Sequence, residues 1–321
     1  MSYQPTDKSV WQGRTAPPGS YWYQRVHCRD MSSKKKLAEA PGIALLGYAI
    51  DEGIRRNQGR LGAAAGPAAL RKRLATLADH LAPDYEVLDA GDVLCPDGDL
   101  EASQRETAAL VTRLLDSGRT TILMGGGHDA AYAHYLGIRG HLKKGERLGI
   151  LNIDAHFDLR PLENGLGHSG SPFTQIQADE EALGLPFLYI CLGIQQTANT
   201  RQLYERAAVF NVVHRSPDEF LLDDWYDTHD ILDTFCARCD KLYLTIDLDG
   251  FSSAFAPGVS APSPWGLEPE GGRKIVKKLI KSHKLIALDV VELNPAFDRD
   301  ESTARLAAGL IEQAAHRLQD L

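Results

Sequence analysis

A chain of 321 residues with 43% hydrophobic and 24% charged content has the make-up of a soluble globular protein with a sizeable core. Its net charge of −8 argues against nucleic acid or an anionic membrane as the main partner, yet allows a small anionic substrate held by local cations. No apolar run reaches membrane-spanning length, residues 1–8 lack the apolar core of a signal peptide, and five cysteines without framework-like spacing suggest a reducing, cytoplasmic compartment.

Residues 1–40 are polar and rich in Pro, Gly and aromatics, and are expected to form an N-terminal arm laid on a single domain spanning 41–321. The run Lys34-Lys35-Lys36 reads as a solvated face. A buried strand is predicted over 42–47, followed by a charged, glycine-containing loop with Arg55, Arg56, Asn57 and Arg60. Pro67 suits the first turn of a helix over 68–78. A strand over 85–89 and a helix over 101–116 come next. The strand predicted at 120–124 ends in Gly125-Gly126-Gly127-His128-Asp129, and a helix starts at Ala130.

The run 148–153 reads as a buried parallel strand leading into Asp154, His156 and Asp158. A Gly/Ser loop is expected over 161–172, with strands over 187–192 and 208–213. Residues 218–240 read as mainly helical, with Cys236-Ala237-Arg238-Cys239 as two helix-borne thiols rather than a zinc or redox pair. A strand over 242–246 ends at Asp247 and Asp249. A helix over 271–281, a strand over 285–291 and a helix over 302–318 complete the chain. This alternation predicts a largely parallel sheet covered on both faces.

Three strands thus end in the same chemistry: His128 after one, Asp154, His156 and Asp158 after the second, Asp247 and Asp249 after the third. Parallel sheets gather functional groups beyond the carboxyl ends of their strands, so these six side chains should share one crevice. Buried charge needs compensation, and four carboxylates match two divalent cations. Mixed oxygen and nitrogen ligation without thiolate suits Mn²⁺ or a related ion, and a binuclear site points to hydrolytic chemistry.

These motifs resemble the ureohydrolases, a family that includes arginase, agmatinase and formimidoylglutamase. Gly125-Gly126-Gly127-His128-Asp129 looks like the family's GGxH motif, Asp154-Ala155-His156-Phe157-Asp158 its DAHxD motif, and Asp247-Leu248-Asp249 its DxD motif. The stretch 62–67 and Glu292-Leu293-Asn294-Pro295 are similar to its flanking signatures, so the likeness covers 53–295 and leaves the arm outside. It implies an arginase-like, three-layer α/β/α fold around a central, mostly parallel sheet, with two Mn²⁺ per subunit in a homo-oligomer. It also implies that His128 and Asp158 complete one metal site, that His156 and Asp249 complete the other, and that Asp154 and Asp247 bridge them.

Glu292, at the end of the last strand, is either a surface ion-pair carboxylate or the group that orients an amidine or guanidine through forked N–H donors. The family uses the matching glutamate in the second way. Two positions beyond the DAHxD motif, arginase-like members carry asparagine, whereas Phe157-Asp158-Leu159-Arg160 resembles formimidoylglutamase. Arg160 would repel a cationic substrate tail and bind a carboxylate, unless it merely shields the acidic centre. The stretch 193–200 lacks the carboxylates with which arginase grips an α-amino group, leaving Gln195 and Asn199 as candidate carboxylate donors. His168 falls one position from the family's proton-shuttling histidine and is a candidate proton carrier.

The reaction this resemblance implies is hydrolysis of N-formimidoyl-L-glutamate, a small anionic amidine, to L-glutamate and formamide, a step in histidine breakdown. A metal-bridging hydroxide would attack the amidine carbon held by Glu292, and Asp158 would pass its proton to the departing nitrogen. The competing readings are an agmatinase or guanidinobutyrase, a non-catalytic metal-binding assembly subunit, and a deacetylase on the related fold.

Overall fold

The apolar runs between the glycine- and proline-rich loops form a ten-stranded sheet in the computed structural model, which describes residues 2–33, 35–220 and 225–320. The strands are β1 (Tyr3–Gln4), β2 (His27–Cys28), β3 (Gly42–Ala49), β4 (Glu86–Leu94), β5 (Thr120–Met124), β6 (Leu148–Ile153), β7 (Leu188–Leu192), β8 (Val213–Arg215), β9 (Lys241–Asp247) and β10 (Leu285–Val291). They lie in the order β1-β4-β3-β5-β10-β9-β6-β7-β8, with β2 also paired to β4. Every pairing is parallel except that of β1 with β4.

Alternation along the strands divides the core into two layers. Ile43, Leu45, Ile122, Leu151, Leu244 and Leu288 face helices Gly66–Ala75, Trp225–Arg238, Pro269–Ile280 and Ser302–Leu318. Ala44, Leu46, Leu123, Ile150, Tyr243 and Ala287 face helices Leu100–Leu115, Ala130–His141, Pro172–Ala182 and Arg201–Val209. The result is the expected α/β fold, a mostly parallel sheet flanked by helices. Among the described residues, no helix is long and apolar enough to cross a membrane.

Four differences from the sequence expectations have physical causes. Helix Pro172–Ala182 begins where only a loop was expected, its Pro occupying the first turn. The strand predicted over 208–213 is instead the end of helix Arg201–Val209 followed by β8, because a short apolar run carries no decisive period. Within the helical expectation for 218–240, a 3₁₀ turn covers Pro217–Phe220 and a helix covers Trp225–Arg238. Residues 221–224, like Lys34 of the lysine run, lie outside the described residues. Cys236 and Cys239 are buried free thiols at the end of that helix.

The fourth concerns residues 1–40, which do more than rest on the surface. They supply β1 and β2 to the β4 edge, and Trp11 and Trp22 to the core. Asp89 on β4 ties this segment down, accepting from Thr6 Oγ1 at 2.7 Å and Trp11 Nε1 at 2.6 Å. The buried Arg71 guanidinium closes the cluster, with Nε and Nη2 at 2.8 and 2.9 Å from the Asp89 carboxylate and Nη1 at 2.6 Å from Asp92.

Candidate metal centre

β5, β10, β9 and β6 are consecutive neighbours, and all four run the same way. Their carboxyl ends therefore deliver His128, Glu292, the Asp247/Asp249 pair and the Asp154–Asp158 segment to one place. Two glycines allow the loops to meet. A Cβ on Gly126, whose φ is +74°, would lie 2.4 Å from the Tyr48 ring, and one on Gly250 would lie 2.8 Å from the Asp154 backbone nitrogen. Asp158 and Glu292 also take left-handed backbone conformations, at φ +47° and +65°.

Nδ1 of His128 lies 3.1 Å from Asp154, 2.9 Å from Asp158 and 3.2 Å from Asp247. Nδ1 of His156 lies 3.4 Å from Asp154 and 3.1 Å from Asp249. The six side chains so form two groups, His128/Asp154/Asp158/Asp247 and Asp154/His156/Asp249, which share Asp154. Asp247 falls in the first group only, though its carboxylate also accepts from the Asp249 N–H at 2.8 Å. The remaining His128 nitrogen, Nε2, is 2.9 Å from Thr245 Oγ1, which fixes the ring. Asn152 donates to Asp154 at 2.9 Å. Asn152 and Thr245 interrupt apolar strands, and that interruption was the signal in the sequence for these supports.

Three carboxylate oxygens crowd His128 Nδ1, yet none is aligned to hydrogen-bond with it; Asp249 Oδ1 and Glu292 Oε2 are likewise buried without a hydrogen-bond partner. Two atoms each about 2.1 Å from one ion, at right angles, lie about 3 Å apart, so these spacings suit donors that share a cation. The charges agree. Burial disfavours ionisation of His128, but Asp154, Asp158 and Asp247 outweigh it and hold the imidazole well above its ordinary range. His156 is raised likewise, against its burial, by Asp249 and Asp154. Burial, then the charges of Asp249 and Asp154, push Asp247 well up. Without a cation the centre must hold protons, and divalent ions would replace them. The donor set fits a pair of oxygen-preferring divalent ions.

An open cleft of about 260 Å³ leads to this centre. His156, Asp158, Asp247, Asp249 and Glu292 form its acidic floor, while Asn57, Arg60, Arg160, Ser169 and Ser260 stand around it. Glu292 Oε1 accepts from the His128 N–H at 3.0 Å. Burial, and next the Asp249 carboxylate, push Glu292 up to about 8, so a cationic group in the cleft would restore its ionised form. Arg160 is exposed, with Nη1 donating to Asn57 Oδ1 at 2.9 Å.

Three candidates from the sequence do not reach the cleft. Asn199 is buried, and its amide is used up on neighbouring backbone: Oδ1 accepts from Phe157 N–H at 3.0 Å, and Nδ2 donates to Ala155 O at 2.8 Å and Gln195 O at 2.9 Å. It braces the ligand loop and has no proton left for a substrate carboxylate. Gln195 is also buried, turned to Ser263, and does not line the cleft. His168 is fixed within its own loop, Nδ1 accepting from Gly170 N–H and Nε2 meeting Pro161 O, both at 3.1 Å. Neither ring nitrogen is available to shuttle a proton. Replacing His168 by alanine is expected to lower stability by about 1–3 kcal/mol, read by thermal unfolding, and to leave the pH–rate profile unmoved.

Residues 41–316 match the arginase family. The chain is similar to the formimidoylglutamase of Aeromonas hydrophila subsp. hydrophila, at 44% identity over 311 residues that cover 97% of this chain and 98% of that protein. It is 41% identical to the formimidoylglutamase of Geobacillus kaustophilus over 323 residues, covering 99% and 98%. Among solved structures it resembles the formimidoylglutamase from Bacillus subtilis, with a TM-score of 0.82, 20% identity, and 96% of this chain and 94% of that one covered. The formiminoglutamase of Trypanosoma cruzi, solved with Mn²⁺, superposes with a TM-score of 0.76 at 24% identity, covering 90% and 96%. At such identities the two structures bear on the fold alone.

Proposed function

From the premise that this chain belongs to the arginase family, we propose that it hydrolyses the amidine C–N bond of N-formimidoyl-L-glutamate, giving L-glutamate and formamide. The full-length relatives named formimidoylglutamase support this reading. The observation that carries it is the polarity of the cleft, acidic on its floor and cationic where Arg160 stands. A substrate with an amidine at one end and carboxylates at the other matches that order. Agmatine, whose far end is an ammonium, does not, and arginine sets an ammonium beside its one far-end carboxylate.

His128, Asp154, His156, Asp158, Asp247 and Asp249 are the residues we assign to hold two Mn²⁺ per subunit. Such ions would make water nucleophilic at neutral pH and neutralise charge that develops at the amidine. The chain's own groups do the rest. Glu292 accepts N–H bonds from the amidine through its unpartnered Oε2 and sets the plane of the reacting carbon. The Asp158 carboxylate, beside it on the floor, carries the proton of the attacking water to the departing nitrogen of glutamate. Arg160 holds a substrate carboxylate and keeps cationic tails out. The cytoplasm is the compartment we assign, consistent with five free cysteines.

The test is formamide release by Mn²⁺-loaded protein from N-formimidoyl-L-glutamate, beside urea release from arginine, agmatine and 4-guanidinobutyrate. Urea as the main product would overturn the assignment. Glu292→Gln keeps an acceptor for the His128 N–H but loses the charge. It is expected to lower kcat/KM by roughly 10²–10³-fold while Mn²⁺ content is maintained.

A further inference from the structure

We infer that Arg60 is a second carboxylate anchor, so that the cleft selects dicarboxylates through a pair of arginines, Arg60 and Arg160; this inference rests on the proposed reading of the site. The segment before helix Gly66–Ala75 carries three arginines, two of them closing the short helix Glu52–Arg56, and the structure separates them. Arg55 pairs with Glu52 on the surface, and Arg56 is held by Glu52 and Glu101. Only Arg60 of the three lines the cleft.

Its side chain is fixed without being neutralised. Nε and Nη2 each donate at 2.7 Å to backbone carbonyls, of Ser260 and Val259, and the guanidinium lies over the Phe297 ring at 4.2 Å from its centroid. Nη1 makes no hydrogen bond to protein, and no carboxylate pairs with Arg60 among the described residues. Arg160 is built alike: its backbone N–H donates to Gly170 O at 2.9 Å, Nη1 is steadied by Asn57, and again no carboxylate pairs with it. Both guanidiniums line the cleft, are exposed, and have no carboxylate partner among the described residues, so each keeps donors that an anionic ligand can take from water. An anion with a single carboxylate would satisfy one arginine. A glutamate skeleton brings two carboxylates, and Arg–carboxylate pairing is bidentate and short-ranged enough to read both.

The probe is N-formyl-L-glutamate, a dicarboxylate whose amide replaces the amidine, with its α-monoamide and γ-monoamide, titrated by calorimetry into Mn²⁺-loaded protein. Arg60→Gln is expected to weaken the dicarboxylate about 30-fold, and to weaken by less than about threefold the one monoamide that lacks the carboxylate Arg60 holds. Arg160→Gln should show the opposite monoamide preference. Arg55→Gln, five residues away in helix Glu52–Arg56 and outside the cleft, should leave binding unchanged. Equal losses of Arg60→Gln against all three ligands, or no loss, would overturn the inference. A wild-type protein that binds the dicarboxylate through both arginines but releases no formamide from N-formimidoyl-L-glutamate would instead remove the proposed reaction and leave the anchor pair standing.

Discussion

Replacing Asp154 by alanine is expected to empty the centre of both cations together and to lower turnover by roughly 10³-fold or more. The reason is geometric. One oxygen of this fully buried carboxylate faces His128 at 3.1 Å and the other faces His156 at 3.4 Å, so Asp154 is the one donor common to both groups. It also accepts from His156 N–H at 2.7 Å, which turns the ligand loop back on itself. Loss of Asp249 should weaken one ion more than the other; loss of Asp154 should release both. Elemental analysis of dialysed protein, with formamide release over a Mn²⁺ titration, decides the matter. An alanine variant that retains two Mn²⁺ per chain would contradict the shared position. The accompanying loss of metal should also lower the unfolding temperature, since an ion that binds only the folded chain stabilises it.

The second large effect is on stability and is expected at the other end of the sheet's architecture. Asp89→Ala leaves Arg71, which is 2% exposed, without its fully buried carboxylate partner and frees the Thr6 and Trp11 donors. Breaking a buried pair from one side costs about 3–5 kcal/mol. That corresponds to a fall in unfolding temperature of roughly 10 °C. Scanning calorimetry of the Mn²⁺-loaded protein measures it, and a fall of less than about 2 °C would refute the estimate. Kinetic constants at 25 °C should change little, because the cluster lies on the β4 edge and touches no residue of the cleft. The pair Arg71→Met with Asp89→Leu should recover part of the loss, since both fully buried charges are then gone and only the partly exposed Asp92 is left without its partner.

What could be read from the sequence follows from where each signal originates. The strands at Thr120–Met124, Leu148–Ile153 and Leu285–Val291 and the helix Ser302–Leu318 have the expected bounds, because continuous apolar runs and helical periodicity are properties of adjacent residues. The convergence of His128, Asp154, His156, Asp158, Asp247 and Asp249 was legible for a related reason: a parallel sheet sends all strand ends one way. Polar residues that answer to distant backbone were not legible. Nothing in the order of residues tells that Asn199 spends its amide on Ala155 and Phe157, or that His168 spends its ring on Pro161 and Gly170. The path of the loop that carries Asn57 and Arg60 into the cleft, and the pairing of two-residue strands β1 and β2, likewise depend on contacts far apart in the chain.

The left-handed backbone at Asp158 and Glu292 sets a limit on how robust this protein can become. Each such residue costs about 1 kcal/mol that glycine would largely recover. A laboratory search rewarding heat resistance alone in metal-free protein would therefore drift toward glycine at both positions and discard two carboxylates that line the cleft. Tolerance to heat has to be sought elsewhere in the chain, and selection for it has to be run with turnover as a condition of survival.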